Sequence, residues 1–124
     1  MRPRLPAEWE PHTAVWTAWP SHPVYWGSAY TGACGEMARF LNALSEPVQG
    51  CAVPEIVEVW ADGAAAMAAV KSVAGEGIRW VEAPFGDIWF RDIAPVVVTG
   101  SDGRQQARCL SHNGWGEKYR MPGD

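Results

Sequence analysis

Two carboxylates, a tryptophan and an arginine lie within six residues of the stretch GDIWFRDIAP, residues 86–95. The carboxylates are Asp87 and Asp92, and the tryptophan is Trp89. An aromatic ring attracts a cation through its quadrupole, and the two oxygens of a carboxylate match the paired N–H groups of a guanidinium fork. The stretch therefore predicts a site for a planar cation.

The elements that must position these side chains indicate an α/β protein. Apolar or alternating runs predict strands, and apolar residues at helical spacing predict helices. The predicted strands cover residues 13–19, 55–60 and 78–82, and the predicted helices cover residues 32–45 and 62–74. The β-α-β-α-β order is typical of the α/β class. Residues 87–92 would then leave the carboxyl end of the third strand, where ligands gather in such sheets.

Turn signals complete the outline. Residues 21–31 are rich in Gly, Pro, Ser and aromatic side chains and are predicted to form a loop. Asp62 is a good N-cap for the second helix, and Gly75 or Gly77 is expected to end it.

A β-hairpin is predicted near the end of the chain. The turn sequence GSDG, residues 100–103, separates strand-like runs over 95–99 and 105–110. We expect the helices to cover a single sheet that includes Val15, Val57 and Val97. No linker or low-complexity tract divides residues 1–124, so one domain without an internal boundary is predicted.

Composition narrows the classes of partner. The 124 residues are 48% hydrophobic and 19% charged, which is typical of a folded globular protein. The formal net charge of −4 argues against nucleic acid or an anionic membrane as a partner, because phosphate binding needs clustered Lys and Arg. A mild negative field suits a small cationic substrate.

The cysteines and histidines predict neither a metal site nor a disulfide framework. The three cysteines form no CxxC pair, and the three histidines lack metal-ligand spacing. They are Cys34, Cys51 and Cys109, and His12, His22 and His112. We expect the cysteines to be small buried hydrophobic residues and His12 to be a hydrogen-bonded structural residue. No apolar signal region follows Met1, so a cytoplasmic location is expected.

Three segments of the chain resemble the motifs of one enzyme family. GDIWFRDIAP resembles the D-x-W-x-R-D-x-G-P signature of agmatine deiminases and Porphyromonas-type peptidylarginine deiminases, with Ala94 in place of the motif glycine. Residues 6–20, PAEWEPHTAVWTAWP, resemble the family opening P-x-E-W-x-P-H-x-x-x-W-x-A-W-P. Residues 112–119, HNGWGEKY, resemble its F-N-x-W-G-x-K-Y, with His112 where a phenylalanine is usual. The segments occur in the family's order and span nearly the whole chain.

The resemblance implies a pentein fold, in which five αβ modules surround a central channel like propeller blades. The matched segments belong to the N-terminal third of the family's members, so the chain is expected to supply the first one to two modules of one deiminase domain. The reaction implied is hydrolysis of agmatine to N-carbamoylputrescine and ammonia, without metal or organic cofactor. A homo-oligomer is left open.

The resemblance also implies roles for individual residues. Asp92 would be the catalytic clamp on the substrate guanidinium, and Trp89 would pack on that group or on the adjoining methylenes. Asp87 is either a second substrate contact or the cap of its loop. Asn113 and Trp115 lie in a loop that the family places near the channel, where they would contact the substrate.

Other interpretations of the same residues stay open at this point. Asp92 could form a structural salt bridge with Arg91 or Arg79, and Trp89 could belong to the core. Arg91 is expected to orient a carboxylate, either Asp87 or Asp92. The remaining motif residues also have structural interpretations, because Asn113-Gly114 is first of all a turn signal and because Trp16 and Trp19 are typical of a strand core.

The catalytic machinery implied by the resemblance is incomplete in this sequence. The family's general-base histidine and nucleophilic cysteine lie in later modules, and none of the three cysteines here aligns with that nucleophile. We therefore expect the chain alone to be inactive. Two alternatives are a peptidylarginine deiminase of the same superfamily and a non-catalytic guanidinium-binding or interaction module.

Overall fold

A computed structural model describes residues 3–47, 54–119 and 121. The predicted α/β class is confirmed, because strands and helices alternate through the first two thirds of the chain. The elements in chain order are β1 Val15–Ala18, α1 Pro23–Trp26, a 3-10 turn Gly27–Ala29, α2 Tyr30–Ser45, β2 Val57–Ala61, α3 Ala64–Val73, β3 Ile78–Glu82, α4 Phe90–Ile93, β4 Val96–Thr99, β5 Gln105–Arg108 and α5 Gly114–Glu117.

The central sheet consists of three parallel strands in the order β1-β2-β3. In β2 the apolar side chains of Val57, Val59 and Ala61 are fully buried, and the residues between them are partly exposed. This period of two places one apolar face of the sheet under α2 and α3. The core cluster joins that face to Leu41 of α2 and Val70 of α3.

The opposite face of the sheet carries aromatic and charged side chains. The rings of Trp16 and Trp60 lie 5.9 Å apart, and Phe90 of α4 packs on Trp60 at 5.8 Å. Trp16 also donates a hydrogen bond of 2.8 Å from Nε1 to Glu58. Of the two tryptophans that were expected in the strand core, Trp19 lies there at 1% exposure and Trp16 does not.

The expected single sheet is wrong. Val97 lies in β4, which pairs antiparallel with β5 in a separate two-stranded sheet, whereas Val15 and Val57 pair in the parallel sheet. The hairpin itself is confirmed, with Gly103 at a φ of +78° in its turn. Its partner outside the hairpin is the N-terminal segment, since Arg4 and Thr99 exchange backbone hydrogen bonds.

Two predicted boundaries also differ. Residues 21–31 are not a loop, because Pro23 occupies the first turn of α1, where its fixed φ favours a helix and its missing N–H costs nothing. Asp62 is not the N-cap of α3, because Gly63 holds that position. The Asp62 carboxylate lies instead 3.4 Å from Nε2 of His22. The predicted helix over 32–45 and the strand over 78–82 are confirmed.

Candidate functional site

The segment that carries the candidate residues leaves the carboxyl end of β3, as predicted, and enters the short helix α4. Phe85 is 5% exposed, and its ring meets that of Phe90 edge to face at 5.5 Å. The backbone carbonyl of Phe85 is contacted by Nε2 of His22 at 3.1 Å. Two phenylalanines and a histidine therefore hold the turn whose exposed side carries Asp87, Trp89 and Asp92.

Four of the five candidate site residues line one open cavity of about 500 Å³. Asp87, Trp89 and Asp92 approach it from the turn after β3, and Trp115 approaches it from α5. The remaining lining residues are Tyr25, Tyr119 and Met121. The cavity therefore combines two carboxylates with four aromatic rings, which is the composition expected for binding a planar cation.

Trp89 and Asp87 are joined by a hydrogen bond. Nε1 of Trp89 donates to Oδ2 of Asp87 at 3.1 Å, and the other carboxylate oxygen, Oδ1, accepts from the backbone N–H of Ile88 at 2.7 Å. Trp89 is 51% exposed, so the alternative that it belongs to the core is wrong. Its ring forms a wall of the cavity.

Asp92 has an exposed side chain with no hydrogen bond or ion pair to any other residue that the structure describes. The two arginines considered as partners are both paired elsewhere. Arg91 lies 2.6 Å from Glu8 and Arg79 lies 3.7 Å from Glu58. The expectation that Arg91 orients Asp87 or Asp92 is therefore wrong, and so is the alternative of a structural salt bridge from Asp92 to either arginine.

The segment assigned as α5, which carries Trp115, is not a regular helix and adopts an uncommon backbone conformation. Trp115 has φ +53° and ψ +51°, the left-handed region that a bulky residue rarely enters. Asn113 does not line the cavity; its Oδ1 accepts a hydrogen bond of 3.1 Å from the N–H of Gly116. The turn role of Asn113 is therefore confirmed, and Trp115, which lies within this turn, meets the Trp89 ring edge to face.

His112 supports the same wall from behind. Its ring meets that of Trp115 edge to face at 4.6 Å. Its Nε2 is buried and has no hydrogen-bond partner among the described residues. A phenylalanine would make the same ring contact without leaving a buried nitrogen unpaired.

Three lining residues were not singled out from the sequence. Tyr25 lies on α1, in the segment that was predicted to be a loop, and its only signal was the aromatic pair Tyr25-Trp26. Tyr119 is the last residue of the HNGWGEKY segment and could have been found there. Met121 had no signal.

Neither described cysteine lies in the cavity. Cys34 is partly buried on α2, and burial raises the pKa of its thiol. Cys109 is exposed, so the expectation that it is buried is wrong, and Cys51 lies outside the described residues. No described residue that lines the cavity is a cysteine or a histidine. Among the described residues, the lining therefore offers carboxylates and aromatic rings, but neither a thiol nor an imidazole.

A larger cavity of about 560 Å³ lies between the N-terminal segment and the β4–β5 hairpin. Its charged side chains are already engaged. Glu10 pairs with Arg4 and Glu8 pairs with Arg91. His12 contacts the backbone oxygen of Glu10 and the Glu55 carboxylate. The hydrogen-bonded structural role expected of His12 is thus confirmed, and the described lining of this cavity offers no free carboxylate to a cation.

Two further properties concern the part of the chain that the structure describes, residues 3–47, 54–119 and 121. No helix there is long and apolar enough to cross a bilayer. No group of three or more His, Cys, Asp or Glu side chains within those ranges is close enough together to hold a metal ion.

Comparison with known proteins relates this geometry to a family and to solved structures. The family model of Porphyromonas-type peptidyl-arginine deiminase matches residues 4–124. An agmatine deiminase of Stutzerimonas stutzeri is 32% identical over 116 residues, which cover 92% of this chain and 29% of that protein. An agmatine deiminase of Pseudomonas aeruginosa is 33% identical over 116 residues, which cover 91% of this chain and 29% of that protein. The chain spans about three tenths of the length of these curated relatives.

The solved structures share the fold. An agmatine deiminase of C. jejuni with substrate bound superposes with a TM-score of 0.76 at 19% identity, over 92% of this chain and 31% of that chain. The agmatine deiminase of Enterococcus faecalis gives a TM-score of 0.68 at 22% identity, over 85% of this chain and 27% of that chain. At these identities the likeness concerns the α/β fold alone.

Proposed function

The chain belongs to the Porphyromonas-type peptidyl-arginine deiminase family, and from this premise we propose that it supplies the guanidinium-binding part of an agmatine-deiminating hydrolase. That enzyme would convert agmatine to N-carbamoylputrescine and ammonia. The observation that carries the proposal is the cavity in which the carboxylate of Asp92, which has no partner among the described residues, shares one space with the rings of Trp89 and Trp115.

The chemistry assigns different tasks to these groups. A thiolate attacks the guanidinium carbon, ammonia leaves after proton transfer, and water then releases the product from the enzyme sulfur. Asp92 would accept two N–H bonds from the guanidinium and thereby fix its carbon for attack. Trp89 would cover the flat face of the cation, which loses water on entering the cavity.

The nucleophile and the general base would come from residues outside this sequence. We therefore propose that the chain forms the N-terminal one to two modules of a five-module pentein domain, and that alone it binds substrate without turning it over. Exposed apolar surface supports this, since Trp9 is 89% and Val24 is 90% exposed. A cytoplasmic location and a homo-oligomeric state stay predictions.

A peptidylarginine deiminase is the second candidate, favoured by the family description itself. The two substrates share the guanidinium and differ at the far end, where agmatine has an amine and a peptidylarginine has two amide groups. The guanidinium-binding residues do not distinguish them. A choice requires a comparison of the two ligands on the same protein.

Binding of three small ligands tests both candidates. Agmatine, putrescine (which lacks the guanidinium) and an arginine blocked at both ends as amides are titrated into the chain and followed by tryptophan fluorescence. We expect agmatine to bind and putrescine to bind at least about tenfold more weakly, because the charge-assisted bonds to Asp92 are lost. Tighter binding of the blocked arginine would favour the second candidate, and equal binding of agmatine and putrescine would contradict a guanidinium site.

A non-catalytic module is the alternative from a different class, and the absence of a described cysteine or histidine from the cavity lining favours it. A self-contained module should be monomeric and should unfold in one cooperative transition. A part of a larger domain should associate or aggregate through its uncovered apolar faces. Size-exclusion chromatography and thermal unfolding of the chain distinguish the two.

A further inference from the structure

We propose that Asp87 is a positioning residue that sets the orientation of the Trp89 ring, while Asp92 keeps the guanidinium-binding task already proposed for it. The inference rests on the proposed function and deepens it, because it assigns separate tasks to the two acidic residues of one cavity. Both line that cavity, and both belong to the same six-residue segment.

The hydrogen bonds of Asp87 are directed at its own turn. Oδ1 accepts from the backbone N–H of Ile88 at 2.7 Å, and Oδ2 accepts from Nε1 of Trp89 at 3.1 Å. A guanidinium fork is bound in a bidentate manner when both oxygens of one carboxylate face it. In Asp87 each oxygen already has a donor from the protein, and these two bonds fix the plane of the carboxylate.

Trp89 needs such a partner because little else holds its ring. The side chain is half exposed, and its described ring contact is an edge-to-face approach to Trp115 at 6.0 Å. Its backbone, in contrast, is held, since its carbonyl oxygen accepts from the N–H groups of Asp92 and Ile93. The hydrogen bond to Asp87 therefore selects the indole orientation and orders the ring before a ligand arrives.

The same hydrogen bond also affects the electrostatics of the ring. An indole that donates its N–H to a carboxylate is polarised, because hydrogen-bonded groups reinforce one another, and its face becomes more negative. A cation on that face is then held more strongly. Asp87 thus acts on the cation through Trp89, whereas Asp92, which has no described partner, is free to contact the cation directly.

A double-mutant cycle on agmatine affinity separates the two tasks. Asp87→Asn should weaken binding by about two- to tenfold, the range for loss of one hydrogen bond. In a Trp89→Phe background, which lacks the indole donor, the same change should alter affinity by less than about twofold. Asp92→Asn should weaken agmatine binding by the same large factor in both backgrounds. An equal loss from Asp87→Asn with and without the indole would overturn the positioning role.

The indole N–H resonance of Trp89 gives a second test that needs no ligand. Among the eight tryptophans it is assigned by its disappearance from the ¹H–¹⁵N spectrum of Trp89→Phe. Asp87→Asn should shift this resonance, and Asp102→Asn, the same chemical change at an exposed hairpin residue outside the cavity, should not. If no variant binds agmatine, the proposed function fails while this spectrum still decides the role of Asp87; a Trp89 resonance unmoved by Asp87→Asn overturns the inference.

Discussion

The indole rings of Trp89 and Trp115 meet edge to face, with centroids 6.0 Å apart and planes inclined at 82°. One ring comes from the turn after β3 and the other from the loop after the hairpin. Their approach joins two of the three motif segments into a single cavity wall. Binding of a cation in this cavity should therefore depend on both rings.

Replacement of Trp89 by leucine should weaken agmatine binding moderately. A cation–π contact is worth on the order of 0.5–2 kcal/mol, which corresponds to a loss of about two- to thirtyfold in affinity. The melting temperature should change little because the ring is half exposed. Titration and thermal unfolding of Trp89→Leu check both expectations, with Trp9→Leu as the matched control because Trp9 is exposed and outside the cavity.

Replacement of Asp92 by asparagine should be more severe. The amide loses the negative charge and one acceptor of the bidentate clamp, and charge-assisted hydrogen bonds contribute about 1.5–3 kcal/mol each. In a complete deiminase that contains this chain, we expect kcat/KM for agmatine to fall at least ~10²-fold with the fold intact. Steady-state kinetics and a melting curve of the same sample measure the two effects.

Asp102→Asn in the hairpin turn is the matched control for that experiment, since it makes the same chemical change at an exposed site outside the cavity. Normal turnover in Asp92→Asn would contradict the clamp. An equal loss of kcat/KM in Asp102→Asn would also contradict the clamp, because the effect would then follow from a general loss of negative charge.

The parts of the fold that depend on local pattern were predictable. The alternation in β2 and the helical spacing in α2 record which face of each element is buried, so both elements were located correctly from sequence. The sheet to which Val97 belongs was not predictable in this way. Its strand pairs with its neighbour in the chain through a tight turn, and an apolar run looks the same in either sheet.

The candidate site divides in the same manner. Asp87, Trp89 and Asp92 are close in the chain, so any turn there brings them together. Tyr25 lines the cavity from a helix that begins at Pro23, in a segment whose composition indicates a loop. The partner of Arg91 is Glu8, 83 positions away, and no local pattern specifies a contact over that distance.

Truncation of Leu41 should destabilise the whole domain. Leu41 is fully buried against the sheet and α3, so Leu41→Ala removes apolar contacts and leaves a cavity, which costs about 2–5 kcal/mol. Leu110→Ala, at a residue that is 72% exposed, should change stability by less than about 0.5 kcal/mol. Urea unfolding curves measure both, and similar midpoints for the two variants would contradict the described core.

Stability should depend on pH through His12. Its Nδ1 contacts the backbone oxygen of Glu10 at 3.1 Å and its Nε2 contacts Glu55 at 2.9 Å. Both partners are acceptors, so only the protonated imidazolium can donate to both, and these hydrogen bonds, that of Glu10 first, raise the pKa of His12 above 6.5. The resulting stabilisation of the folded state is fully present below pH 6.5, which is the ordinary pKa of histidine. It is lost as the pH rises through the raised pKa of His12.

The Glu55 share of this effect can be isolated with Glu55→Gln, which keeps a side-chain acceptor and removes the charge. The melting temperature of the variant should fall below that of the parent at about pH 6 and approach it at about pH 8.5. The shift should be small, because both side chains are about two-fifths exposed and water screens the pair. Glu36→Gln, on the exposed side of α2, should show no such pH dependence. A difference that grows from pH 6 to pH 8.5 would have the wrong sign for a histidine stabilised in its charged form.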